Sequence, residues 1–182
     1  MALLLSGAAG GLGITFRLIA AAGLAVVAWT VTAVCVPVVR AMRASRSPGR
    51  WGVLPLVVWF PLVVWVDAVV VATASWRWLA PLGAAVMLGV LAQAIASSLG
   101  YLAPQLRPWG AARDATRRRV ESSALVRAIA WNAGAVLVVA AAAAGPGSGW
   151  AWAGRIGWAL VLASAFGQAV LIGSVRRETT PG

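Results

Sequence analysis

Long apolar stretches, separated by short arginine-rich segments, dominate this sequence. An α-helix rises about 1.5 Å per residue, so about 20 residues cross a hydrocarbon core ~30 Å thick. The chain is 62% hydrophobic and only 10% charged, too apolar to present a soluble exterior. This composition and the long apolar stretches predict an all-α, polytopic transmembrane helix bundle in a single membrane domain of residues 1–182. Five spans are predicted, at residues 14–39, 53–75, 79–103, 128–144 and 151–175.

The arginines predict the orientation of the bundle. All 15 basic residues are Arg, and 12 of them lie in the segments 40–50 and 105–127 and in the C-terminal tail. Because basic loops stay in the cytoplasm, we expect an outer N-terminus, an inner C-terminus and a multi-pass location in a bacterial plasma membrane. The two cytoplasmic loops are expected to contact anionic lipids, and 105–127 to include a short amphipathic helix. Clusters of arginine between membrane spans set the orientation of the spans. The net charge of +11 therefore does not predict a nucleic-acid partner.

The side chains that most often carry catalysis are scarce. There is no His, and Cys35 is the single Cys. Without imidazole the chain has no ordinary ligand set for haem, zinc or copper, and no His-based triad. One thiol forms no internal disulfide, and the glycines at 7–13 lack the lysine of a phosphate-binding loop. We therefore expect no cofactor and no catalytic activity from this chain alone.

Asp67 is the notable charged residue, because it lies well inside the second predicted span. A carboxylate there is costly and needs a partner. The available partners are three arginines near outer helix ends: Arg17, Arg77 and Arg155. Since no second intramembrane acid is present to relay a proton, a structural ion pair is favoured over a proton or ion pathway.

The third span carries small residues at four-residue spacing. One row is Ala85, Gly89, Gln93 and Ser97, and the adjacent row is Ala92, Ala96 and Gly100. Small residues let helix backbones approach closely, so we interpret both rows as a packing stripe rather than a pore lining. Asn132 and Gln168 are expected to hydrogen-bond between helices, and Pro37 to kink or end the first span.

One segment has a family resemblance. Leu91-Ala-Gln93, then Gly100-Tyr-Leu-Ala-Pro104, an Arg-rich loop and Asn132 resemble the membrane region of actinobacterial membrane-anchored multicopper oxidases of the copper nitrite reductase-like type. The resemblance covers residues 79–145. It implies oxidase chemistry in cupredoxin domains whose copper ligands are His and Cys. No position in this chain matches such a ligand.

Two functions are expected from these observations. The resemblance implies a non-catalytic membrane bundle that anchors or partners a redox or copper protein. A homo-oligomer is the alternative assembly. The alternative is a small transporter or channel subunit that uses Asp67. The apolar opening at Met1, without cap or charge, suits a chain that begins partway through a longer membrane region.

Overall fold

The computed structural model describes residues 2–45, 50–106 and 110–174, and this part of the chain is helical apart from short turns. The helices are α1 (Ala2–Ala44), α2 (Arg50–Thr73), α3 (Leu79–Ala84), α4 (Ala92–Gln105), α5 (Ala111–Ser122), α6 (Ala124–Ala144) and α7 (Ala151–Ser174). A 3₁₀ turn, Trp76–Trp78, precedes α3, and a π-helical segment, Ala85–Leu91, joins α3 to α4. The stretch Trp76–Gln105 is therefore one continuous rod.

Within the described residues, five helices are long and apolar enough to cross a membrane. Their large apolar side chains point outwards; Trp29 is 70% exposed and Phe166 is 72% exposed. Such a surface requires lipid as its solvent, because exposing so large an apolar area to water is energetically unfavourable. The chain is a multi-pass integral membrane protein, and the predicted fold class is confirmed.

The boundaries of the spans differ from the predicted ones. Helix α1 continues through Pro37 to Ala44, so Pro37 does not end the regular helix, and a kink at Pro37 stays a prediction. The proline removes one backbone donor, and the helix-forming residues that follow continue the helix. The break lies instead at Gly13, where φ is 80° and ψ is 177°.

The later spans also begin or end at residues other than the predicted ones. Helix α2 begins at residue 50 rather than 53, and its end is followed by Ala74 in a left-handed conformation, with φ of 50°. The third rod extends three residues further at its start and two at its end than 79–103. Helix α6 begins at residue 124 rather than 128, so Arg127 belongs to a span and not to a loop. The predicted amphipathic helix within 105–127 is confirmed as α5.

Parts of several predictions fall on residues that the structure does not describe. The predicted end of the fifth span at residue 175 and the arginines of the C-terminal tail lie outside the described residues, as do 46–49 and 107–109 of the two basic loops.

Two helical hairpins enclose the third rod. In the hairpin of α1 and α2, Ala21 and Leu24 pack on Ala68 and Val71. The hairpin of α6 and α7 packs with the rod around a core of Leu88, Trp131, Ala135, Val138 and Val161. The ends of α1 and α4 and the starts of α2 and α6 meet at one end of the bundle, which we call the basic end.

Candidate functional site

A cavity of about 770 Å³ opens at the basic end of the bundle, and we call it the basic-end cavity. Its walls come from the end of α1, α2, the third rod, α5, α6 and α7. Volumes of roughly 300–1,000 Å³ are typical of small-molecule sites. Four arginines but only two carboxylates, Asp114 and Glu121, line it. The cavity therefore carries an excess of positive charge.

Three of the arginines line the cavity from segments outside the apolar cores of the helices. The guanidinium of Arg50 lies 4.7 Å from the ring centroid of Trp51 and donates to the carbonyl of Ser45. Arg113 donates to the side-chain oxygen of Gln105. The carbonyl of Ser45 and the amide of Gln105 are both neutral acceptors.

Arg117 differs from these two because a carboxylate neutralises it. Its Nε donates to Glu121 Oε1 over 2.9 Å, one helical turn along α5. This hydrogen bond and the negative charge raise the pKa of Arg117. Arg117 and Glu121 thus contribute little net charge to the cavity.

Arg127 is the fourth arginine, and it lies in the first turn of the apolar helix α6. Its half-buried guanidinium donates to the carbonyl of Val120 over 2.6 Å and to the hydroxyl of Ser123. Both of these partners are neutral. Arg127 therefore presents a positive charge to the cavity without a carboxylate beside it.

The deep part of the cavity is polar. Gln93 is 4% exposed and Ser164 is 6% exposed, and both line the cavity. The Gln93 Oε1 atom accepts no hydrogen bond from the described part of the chain. A buried oxygen without a donor is destabilising, so a donor that reached this atom would stabilise the folded protein.

The π-helical segment sets the register between the third rod and α6. In it the N–H of Ala92 donates to the carbonyl of Met87, five residues back. Where the backbone hydrogen bonds change from this five-residue spacing to the four-residue spacing of an α-helix, one carbonyl has no backbone donor. The next carbonyl, of Leu88, accepts the indole N–H of Trp131 over 2.9 Å. This bond fixes α6 against the rod just below the cavity.

The predicted packing stripe lies between neighbouring helices. Gly89 faces the ring of Trp59, Ser97 donates to the carbonyl of Gly52 over 2.5 Å, and Gly100 lies near Gln168. Ala85 is buried against Val63 and Leu82, whereas Ala92 and Ala96 pack on the α6–α7 core. The stripe thus contacts α2 on one side and α6 and α7 on the other.

The two other polar residues singled out in the sequence bond between helices. Asn132 accepts the indole N–H of Trp59 over 2.8 Å, and its own amide donates to the carbonyl of Ala128. The amide of Gln168 donates to the carbonyl of Ala96. Asn132 therefore joins α6 to α2, whereas Gln168 joins α7 to α4 beside the cavity.

Asp67 stands apart from these contacts. None of the predicted partners, Arg17, Arg77 and Arg155, forms a salt bridge with it in the described segments, so the predicted ion pair is not present in the structure. The Asp67 Oδ1 and Arg17 Nε atoms are both shielded and have no hydrogen-bond partner there. Arg77 instead lies over the ring of Trp78, 5.6 Å from its centroid.

The sequence reasoning did not identify Arg127 as a site residue, because the residue stands at the edge of a polar stretch. One available signal was its spacing: Arg127 precedes Trp131 and Asn132 by about one helical turn, which places it on the same face of an α-helix. Gln93 and Gln168 were identified as polar residues, but the cavity between them depends on α5, which covers it.

Comparison with protein-family models, with curated proteins and with solved structures found no match. The functional assignment therefore depends on the geometry of the basic-end cavity.

Proposed function

We propose that this chain is a non-catalytic membrane protein that binds an anionic lipid in the basic-end cavity. The observation that carries the proposal is Arg127, a half-buried guanidinium within an apolar helix whose partners are neutral. Arg127 lies in the first turn of α6, and a long arginine side chain near a helix end extends to the level of the lipid headgroups. A phosphate is the natural partner, because a guanidinium binds its oxygens with charge-assisted hydrogen bonds.

The position of the cavity supports a lipid rather than a wholly soluble ligand. The cavity opens at the basic end, and the arginine distribution predicts that this end faces the cytoplasm of a bacterial cell. Headgroups of anionic lipids lie at that level. The apolar walls formed by Val53, Val120 and Ala128 suit the glycerol backbone and the first methylenes of a lipid.

Replacing Arg127 with Gln tests the proposal. We expect the affinity for phosphatidylglycerol to fall about tenfold or more, because a charge-assisted hydrogen bond contributes at least about 1.4 kcal/mol. Native mass spectrometry of the protein in mild detergent measures this affinity, and phosphatidylcholine supplies the baseline for a zwitterionic headgroup.

Arg118→Gln is the matched control. Arg118 lies on α5 and is exposed, but it does not line the cavity. The same loss of charge there should change the affinity less than twofold, because exposed charges are screened by salt. Equal losses in the two variants would mean that the lipid binds to a diffuse basic surface, which contradicts the proposal.

A transporter function that uses Asp67 is the second candidate, and the shielded, unpaired Oδ1 atom favours it. The Asp67→Asn variant should keep an unfolding midpoint at least as high as that of the native chain, because no cation of the described segments pairs with the carboxylate. A transporter would lose its flux in proteoliposomes on this change. Equal flux from native and variant chains would exclude the role, and a lower midpoint would reveal a cationic partner.

Anchoring of a copper oxidase is a separate proposal about a partner protein. It rests on the residues of the resemblance, Leu91–Gln93, Gly100–Pro104 and Asn132, and the comparisons add no support to it. Purification of the native chain through a C-terminal tag in mild detergent would recover such a partner. Recovery of this chain alone would exclude the role.

A further inference from the structure

The unpaired oxygen of Gln93 indicates what the ligand carries besides its charge. Gln93 is 96% buried, lines the basic-end cavity and has an acceptor atom without a donor among the described residues. A phosphodiester without a free hydroxyl would leave that acceptor unsatisfied, because its phosphate has only acceptor oxygens. A ligand group with a proton to donate would remove the cost of the unpaired oxygen.

Gln93 and Arg127 lie at a similar depth in the bundle. The hydrogen bond of Trp131 to the Leu88 carbonyl marks a common level on α6 and the third rod. Arg127 lies four residues from Trp131, and Gln93 five residues from Leu88, both on the side of the basic end. Each is thus about 6–7.5 Å along its helix from the same contact. Both residues also line the basic-end cavity.

We infer that the ligand is a phosphodiester whose alcohol carries a free hydroxyl, an inference that rests on the proposed function. The phosphate lies against the guanidinium of Arg127, and the hydroxyl donates its proton to Gln93 Oε1. A hydroxyl fits better than an ammonium group, because the cavity holds four arginines against two carboxylates. The buried hydroxyl of Ser164, on α7, offers a second polar contact to a polyol.

Two sources can supply this chemistry. One is the headgroup of phosphatidylglycerol in the bilayer, and the other is the soluble ester glycerophosphoglycerol, which has the same phosphodiester and hydroxyls without acyl chains. Competition between the two in native mass spectrometry distinguishes them. Displacement of the lipid at equal concentration of the soluble ester identifies a soluble ligand, and no displacement identifies the lipid.

The test compares phosphatidylglycerol with phosphatidylmethanol, which has the same charge and acyl chains but no free hydroxyl. The native chain should bind phosphatidylglycerol about tenfold more tightly, the ratio expected when a buried acceptor gains its hydrogen bond. Gln93→Met should abolish this preference, so that the variant binds the two lipids with equal affinity. Leu88→Met, on the same rod but outside the cavity, should keep the preference.

The outcomes distinguish a failure of the inference about the hydroxyl from a failure of the proposed lipid binding. Equal binding of both lipids by the native chain overturns the inference about the hydroxyl, and this comparison needs no variant. Tighter binding of phosphatidylethanolamine than of phosphatidylglycerol overturns it as well, because an amine would then be the donor. Failure of the native chain to bind either anionic lipid above phosphatidylcholine overturns the proposed function itself.

Discussion

A Gly134→Leu variant is expected to lose about 3 kcal/mol of stability, enough to separate α6 from α7 in much of the population. A Cβ atom at Gly134 would lie 2.6 Å from the backbone oxygen of Gly157, and one at Gly157 would lie 2.6 Å from the oxygen of Gly134. Backbone atoms cannot rotate away as side chains do, so the helices must move apart. Unfolding of the detergent-solubilised protein, followed by circular dichroism, measures the loss.

Gly167→Leu is the matched control on α7. A Cβ at Gly167 meets nothing within 4 Å, and Leu favours an α-helix over Gly by a large part of ~1 kcal/mol. This variant should therefore be as stable as the native chain or more stable. If the two leucine variants unfold alike, the close approach of α6 and α7 does not hold the hairpin together. The reciprocal change Gly157→Leu should reproduce the effect of Gly134→Leu.

Loss of Trp59 is expected to have a comparable effect, about 3–5 kcal/mol for Trp59→Ala. The ring of Trp59 lies on Gly89, so close that a Cβ there would meet the ring at 2.6 Å. Its indole N–H donates to Asn132 over 2.8 Å. One side chain thus joins α2, the third rod and α6. Removing it leaves a cavity between three helices and an unpaired amide oxygen at Asn132.

Two further variants separate packing from hydrogen bonding. Trp59→Phe keeps an aromatic ring but loses the donor, so it should cost about 1 kcal/mol, the range of hydrogen bonds between membrane helices. Trp29→Ala removes the same side chain from a position that is 70% exposed, and it should cost little. A loss at Trp29 equal to the loss at Trp59 would mean that contact with lipid, rather than packing between helices, stabilises both rings.

Helix α2 illustrates how much of the fold follows from local sequence. Its run of valines and tryptophans, taken alone, favours a strand. Lipid offers no donors or acceptors to a backbone, so only a helix satisfies all its N–H and C=O groups. Hydrophobicity and length therefore determine that this segment is a helix. The same reasoning applies to the spans that begin at Leu79 and Ala151.

The positions of the helix ends depend less on hydrophobicity, so the sequence predicts them less accurately. Pro37 and Gly13 are both helix-breaking residues, yet the break occurs at Gly13 alone, where the backbone adopts a positive φ. Arg127 was assigned to a loop because it is charged, whereas α6 includes it. Its guanidinium reaches back to the carbonyl of Val120 and so satisfies a polar group at the end of α5. A contact between two helices decides this boundary.

The sequence by itself determined that the chain crosses a membrane on five helices, because the length and apolarity of a segment are local properties that set its free energy in lipid. Tertiary structure alone decided which polar groups meet. Asp67 has no basic partner among the described residues, whereas Gln93 and Arg127, from different helices, line one cavity. Pairings of this kind depend on helix register, which the contacts of Gly134 with Gly157 and of Trp131 with Leu88 set.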